Sequence, residues 1–177
     1  MTIGEQITAL LKREGGYSSD PTDRGGETNL GITWPTLKAA IKRGLVPPDT
    51  TIATLTTPQA HIIYETFYLI DPGISKLPRV LHPLMLDYGV NSGPAIAIKA
   101  LQRVMGIKDD GVIGEMTLNK VATFNPNDLV KGVAKERARM IVRIVQNDLK
   151  RKLGEREFNK LQAKFLGGWV ERVLDFL

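Results

Sequence analysis

The stretch Glu14 to Thr33, EGGYSSDPTDRGGETNLGIT, decides the fold of this 177-residue chain. Before it, Ile3, Ile7, Leu10 and Leu11 recur at helical spacing, and Thr2 followed by Glu5 has the spacing of a capping box. Gly15-Gly16 ends that helix. The stretch is then dense in Ser, Asp, Pro, Gly and Thr. It predicts turns with one or two short strands, and a small hairpin around Gly25-Gly26.

Glu14 is oddly placed for a solvated side chain. It follows Ile7 by seven positions, Leu10 by four and Leu11 by three. At about 100° per residue, those offsets set it on the apolar stripe. A carboxyl held against apolar neighbours resists ionisation, which suits a general acid that protonates a leaving oxygen. The alternative is a Glu at a fraying helix end, swung into water or paired with an Arg. Asp23 lies nine positions after Glu14, and Thr28 five after Asp23. A hairpin folded back over the helix end would set both across a cleft from Glu14. Asp23 then serves as the second carboxylate, and Thr28 as a hydroxyl that holds a water. Both also suit turns in which they bond their own backbone, and Glu27 is a spare carboxylate.

Working outward, the rest of the chain reads as helices: Trp34–Arg43, Thr57 to about Leu69, Leu81–Val90, Ala95–Met105, Glu115–Ala122, Asn125 to about Leu153, and a last apolar-periodic segment to the C-terminus. The fold class is mainly α, an α+β arrangement with a small β-hairpin after the first helix. Apolar residues make up 42% and charged residues 24%, which fits a chain that buries a core. With no Cys there is no disulfide framework, thiol nucleophile or Cys-based zinc site. His61 and His82 form no His-Glu-x-x-His pattern. Carboxylates are therefore the expected agents of any chemistry, with no metal or cofactor. No run approaches the ~20 apolar residues of a membrane helix. The first residues lack a basic region before an apolar core, so synthesis in a cytoplasm is expected.

The net charge of +5 is uneven: residues 129–177 carry twelve Lys/Arg against six Asp/Glu. Such a segment suits a polyanionic partner, though a long solvated helix also carries many cations. No zinc finger, heptad zipper or aromatic-rich sheet signature points to nucleic acid.

The Glu14–Thr33 stretch resembles the signature of glycoside hydrolase family 108, whose phage endolysins and lysozyme-like proteins are typified by Glu-Gly-Gly-Tyr, here Glu14 to Tyr17. The Glu-x8-Asp-x4-Thr layout is also similar to that of phage-type lysozymes, with its last gap one residue shorter. Downstream, Asp87 to Gly93 (DYGVNSG), Leu101-Gln102, Asp110 to Gly114 (DGVIG) and Thr117 resemble the family's C-terminal peptidoglycan-binding segment.

The resemblance implies a lysozyme-like fold, with residues 1–90 catalytic and residues 91–177 a helical peptidoglycan-binding region packed with the first as one compact unit. It implies a muramidase that cuts the β-1,4 bond between N-acetylmuramic acid and N-acetylglucosamine and lyses a host cell, reaching the wall from the cytoplasm through holin-type lesions. Glu14 is then the acid, with Asp23 and Thr28 assisting. A lytic transglycosylase and a non-catalytic wall-binding or secretion-linked protein stay open as alternatives. Tyr17 and Tyr88 are candidate stacking residues and Asn91 a candidate sugar hydrogen-bond donor, although Tyr88 equally suits a core and Asn91 a helix end. Trp34 is a further aromatic beside the cleft. Asp110-Gly111 also reads simply as a tight turn. The expected partners are peptidoglycan and, through the basic C-terminal helices, an anionic wall or outer-membrane surface, with the chain a monomer.

Overall fold

The computed structural model describes residues 2–14, 16–18 and 27–150 together with Gly168, Val170, Arg172 and Val173; the side chains of Glu14 and of residues 146–150 fall outside that description. The chain divides into two compact units, Met1–Asp71 and Pro72–Leu177. Among the described residues no helix is long and apolar enough to cross a membrane.

In the first unit, helix α1 spans Ile3–Glu14. Its start is the predicted capping box. The Thr2 N–H donates to Glu5 Oε2 at 2.7 Å, and the Glu5 N–H donates to Thr2 Oγ1 at 3.2 Å. These bonds satisfy backbone donors that a helix start leaves open. Ile7, Leu10 and Leu11 are buried, as their spacing requires, and α1 packs on helix α3, Thr57–Glu65.

Strands β1, Thr28–Asn29, and β2, Ile32–Thr33, pair antiparallel with Thr28 opposite Thr33. The turn between them is Leu30-Gly31, with φ of 52° and 73°. Two successive positive φ values give the two-residue turn whose twist matches its strands, and Gly31 meets that demand without a Cβ penalty. The hairpin expected around Gly25-Gly26 lies outside the described residues. Leu30 is the residue that hid this turn, because a γ-branched side chain rarely adopts positive φ.

The hairpin is anchored at its tip. The Asn29 side-chain amide donates to the Ile52 and Leu55 carbonyls at 2.9 and 3.3 Å, and the Tyr64 hydroxyl donates to the Leu30 carbonyl at 2.9 Å. Helix α2, Trp34–Lys42, leaves β2 directly and buries Leu37 and Ala40. Beyond α3 the chain widens into a π-helical turn, Thr66–Ile70, where the expected helix to Leu69 loses its regular spacing.

In the second unit, helix α4, His82–Ser92, is buried on nearly every side, from Leu84 through Gly89. Helix α5, Pro94–Val104, and the long helix α7, Pro126–Lys150, pack against it and against each other, and the short helix α6, Glu115–Val121, precedes α7. Val133 and Ala134 fill the inner side of α7, with Leu129 and Ile141 at either end. The last apolar-periodic segment lies mostly outside the described residues.

Gly132 marks a close approach of α5 and α7. A Cβ built there would stand 2.5 Å from Val104 Cγ1. Gly132→Ala gains about 1 kcal/mol of helix propensity, but overpacking against a β-branched neighbour costs about 1–3 kcal/mol. The net expectation is a loss of about 1 kcal/mol, read as a lower urea midpoint at unchanged slope. In a Val104→Ala background the same substitution becomes neutral or stabilising.

Candidate active site

The candidate site lies at the end of α1. Glu14 closes that helix in the row of Ile7, Leu10 and Leu11, all three of which are buried. Two residues later the backbone is described again, and Tyr17 is exposed at 53%. Ser18 then pairs with Thr28 as an antiparallel bridge. The Ser18 N–H donates to the Thr28 carbonyl at 2.8 Å, and the Thr28 N–H donates to the Ser18 carbonyl at 2.9 Å.

Ser18, Thr28 and Thr33 are therefore neighbours across three adjacent backbone segments. The chain that leaves α1 returns beside itself after nine intervening residues, and Thr28, half-buried, comes back to within four residues of Glu14 along the ladder. The bridge shows that the chain returns beside the segment that leaves α1; Gly15, Asp23 and the Glu14 side chain lie outside the described residues. Trp34 follows β2 and is exposed at 43%, with the Lys38 ammonium 5.3 Å from its ring centre. A half-open indole next to the returning strand is a surface on which a sugar face can stack.

A shallow concavity of about 480 Å³ lies elsewhere on α1, lined by Glu5, Thr8, Ala9 and Lys12 with His61 of α3. These positions face away from the row of Ile7, Leu10 and Leu11. Thr8 Oγ1 donates to the Gly4 carbonyl at 2.8 Å and lies 3.1 Å from His61 Nε2. His61 Nε2 thus has a hydroxyl partner.

The second unit holds the other sequence candidates. Tyr88 is 1% exposed, its hydroxyl donates to Met140 Sδ at 3.3 Å, and the Arg137 guanidinium stands 5.0 Å from its ring centre. Burial pushes its phenol pKa up, against a smaller opposing pull from Arg137. A ring so enclosed offers no face to a sugar, which corrects its place among stacking residues. Asn91 is exposed at the end of α4; its Nδ2 donates to the Asp87 carbonyl at 2.8 Å and its Oδ1 accepts from Arg172. His82 opens α4, buried, with Nε2 2.8 Å from the Leu77 carbonyl.

Gln102 gives the downstream motif its physical meaning. Its buried amide nitrogen lies 2.8 Å from Asp110 Oδ1, 3.0 Å from the Val112 carbonyl and 3.1 Å from Thr117 Oγ1, while its Oε1 accepts from the Gly111 N–H at 2.8 Å. The Val112 N–H, and then Gln102, hold the Asp110 carboxyl below its ordinary pKa. Gly111 has φ of 80°, and a Cβ there would come within 3.1 Å of the Ala95 carbonyl oxygen. Leu-Gln, Asp-Gly and Thr thus build one loop scaffold, and that scaffold displays Val112 and Met116, exposed at 63% and 66%.

An opening helix that ends in Glu, a short hairpin after it and a helical second unit agree with a lysozyme-type glycoside hydrolase. Residues 7–93 match the family described as Glycosyl hydrolase 108, and residues 96–174 match the one described as Predicted Peptidoglycan domain. The chain is similar to the structure of Brucella abortus SagA, with 30% identity and a TM-score of 0.68 over 98% of this chain and 94% of that one. No curated protein sequence matches it. The chain belongs to the glycosyl hydrolase 108 family, and its two matched regions make it an enzyme that hydrolyses peptidoglycan.

The Ser18–Thr28 bridge carries a consequence for activity. Ser18→Pro removes the N–H that donates to Thr28. Loss of alignment at the site should lower kcat by roughly tenfold to a hundredfold with little change in melting temperature. Ser18→Ala, which retains the N–H, should leave both as they are. Turbidity loss of purified sacculi and a circular-dichroism melt together read this out.

Proposed function

We propose that the enzyme is a muramidase that cleaves the β-1,4 bond between N-acetylmuramic acid and N-acetylglucosamine, with Glu14 as general acid. Glu14 gives its proton to the glycosidic oxygen as the bond from that oxygen to the sugar C1 breaks. Water adds to C1, and the proton it sheds returns to a carboxylate. Asp23 stabilises the positive charge that gathers on the ring or takes the water's proton, and Thr28 holds the water. Tyr17 and Trp34, both exposed next to this backbone, stack on sugar faces. The biological setting of this reading is lysis of a bacterial host from within.

The observation that supports the reading is the pair of backbone bonds between Ser18 and Thr28, which ties a hydroxyl-bearing strand to the segment that follows Glu14. The row of Glu14 supports the acid role, since Ile7, Leu10 and Leu11 in the same row are buried.

Mass spectrometry of purified sacculi digested by the full chain tests the bond and the chemistry together. Muropeptides with reducing N-acetylmuramic acid ends are expected. Products with 1,6-anhydro ends would instead mean attack by the sugar's own C6 hydroxyl, with no water consumed. Reducing N-acetylglucosamine ends would place the cut at the other glycosidic bond.

A further inference from the structure

The outer face of α7 carries the strongest unassigned feature. Two ridges of residues, each spaced by four, run along opposite sides of this helix. Leu129, Val133, Arg137 and Ile141 form the inner ridge, and all four are buried. Lys131, Lys135, Arg139 and Arg143, each two positions further and so about 200° round the helix, form the outer ridge, and all four are exposed. Every position of the outer ridge is a cation. At 1.5 Å rise per residue the charges stand about 6 Å apart along roughly 18 Å of helix.

Arg139 donates to Glu136 at 2.6 Å. Among the described residues, Lys131, Lys135 and Arg143 have no ion-pair partner. Like charges four residues apart repel and weaken the helix. The ridge accepts that repulsion, and an anionic partner relieves it. Two sources of anions are available to such a surface, a lipid bilayer and a charged polymer. A helix that lies in a bilayer sets large apolar side chains beside its cations, whereas Val142 is the exposed apolar side chain of α7 among the described residues. The ridge therefore fits a hydrated polyanion. Peptidoglycan is one: its stem peptides repeat free carboxylates at close intervals along each glycan strand.

We propose that the Lys131–Lys135–Arg139–Arg143 ridge is a contact surface of the peptidoglycan module, and that it recognises stem-peptide carboxylates rather than sugars. The proposal rests on the peptidoglycan reading above. Each exposed charge contributes little alone and is screened by salt. Several in line hold the enzyme to the wall through contacts that break and re-form singly, so it stays associated yet moves between cuts.

The test uses the full chain carrying Glu14→Gln, pelleted with purified sacculi at low salt. The added triple change Lys131→Gln, Lys135→Gln and Arg143→Gln should reduce the pelleted fraction on the order of tenfold. The charge-conserving triple Lys131→Arg, Lys135→Arg and Arg143→Lys should retain it. Amidation of the sacculus carboxylates should release the parent chain to the level of the neutral triple, as should salt near 1 M, where screening falls to about 3 Å. Undiminished pelleting of the neutral triple overturns the proposal, and so does undiminished pelleting on amidated sacculi. Loss confined to phosphatidylglycerol vesicles also overturns it, in favour of a lipid surface. Failure of the wild-type chain to cut sacculi refutes the functional reading. Normal cutting together with undiminished pelleting of the neutral triple refutes the ridge alone.

Discussion

Two backbone hydrogen bonds, Ser18 N–H to the Thr28 carbonyl and Thr28 N–H to the Ser18 carbonyl, tie the returning strand to the segment that leaves α1. A chain rich in Ser, Asp, Pro and Gly has no apolar periodicity with which to hold itself in place. Here the first helix is fixed by Ile7, Leu10 and Leu11, and the hairpin by Asn29 and Tyr64. The described elements on either side of that stretch are thus held by packing and by hydrogen bonds.

The second unit solves a different problem around one buried ion pair. Arg137 lies 2.6 Å from Asp87, and both side chains are at least 96% buried. Removing one partner of such a pair typically costs about 3–5 kcal/mol, because the other charge is left in a poor solvent. The pair ties α7 to α4, and the Tyr88 ring beside it closes the arrangement with a cation–π contact. This explains why an Arg occupies a row otherwise filled by Leu129, Val133 and Ile141.

The helices were legible because their signals are local. Thr2 with Glu5 capped α1 as the spacing required, and the stretches around Trp34, Thr57 and Pro94 opened helices where expected. The position of the Leu30-Gly31 turn was hard to read, since a Leu in a positive-φ position masks the turn signal of Gly31. Tyr88 was open to misreading because Asp-Tyr-Gly-Val-Asn-Ser-Gly resembles a motif whose aromatic residue equally suits a core; Arg137 above the ring shows which it is. The same register argument that singles out Glu14 would also have singled out Arg137, a charged residue on an apolar row that proved to be buried with a partner. The role of Asp23 turns on a long-range return of the chain, which local spacing does not encode, and Asp23 lies outside the described residues.

The central claim is that the carboxyl at the end of the opening helix is the proton donor. The most direct measurement compares the wild-type chain with Glu14→Gln, an isosteric change that removes the acidic proton, in a turbidity assay on purified sacculi, with melting curves recorded alongside. The account predicts that the variant melts like the wild type and clears sacculi at least a hundredfold more slowly, the order expected when a general acid is lost. A folded Glu14→Gln enzyme that clears sacculi at the wild-type rate would contradict it.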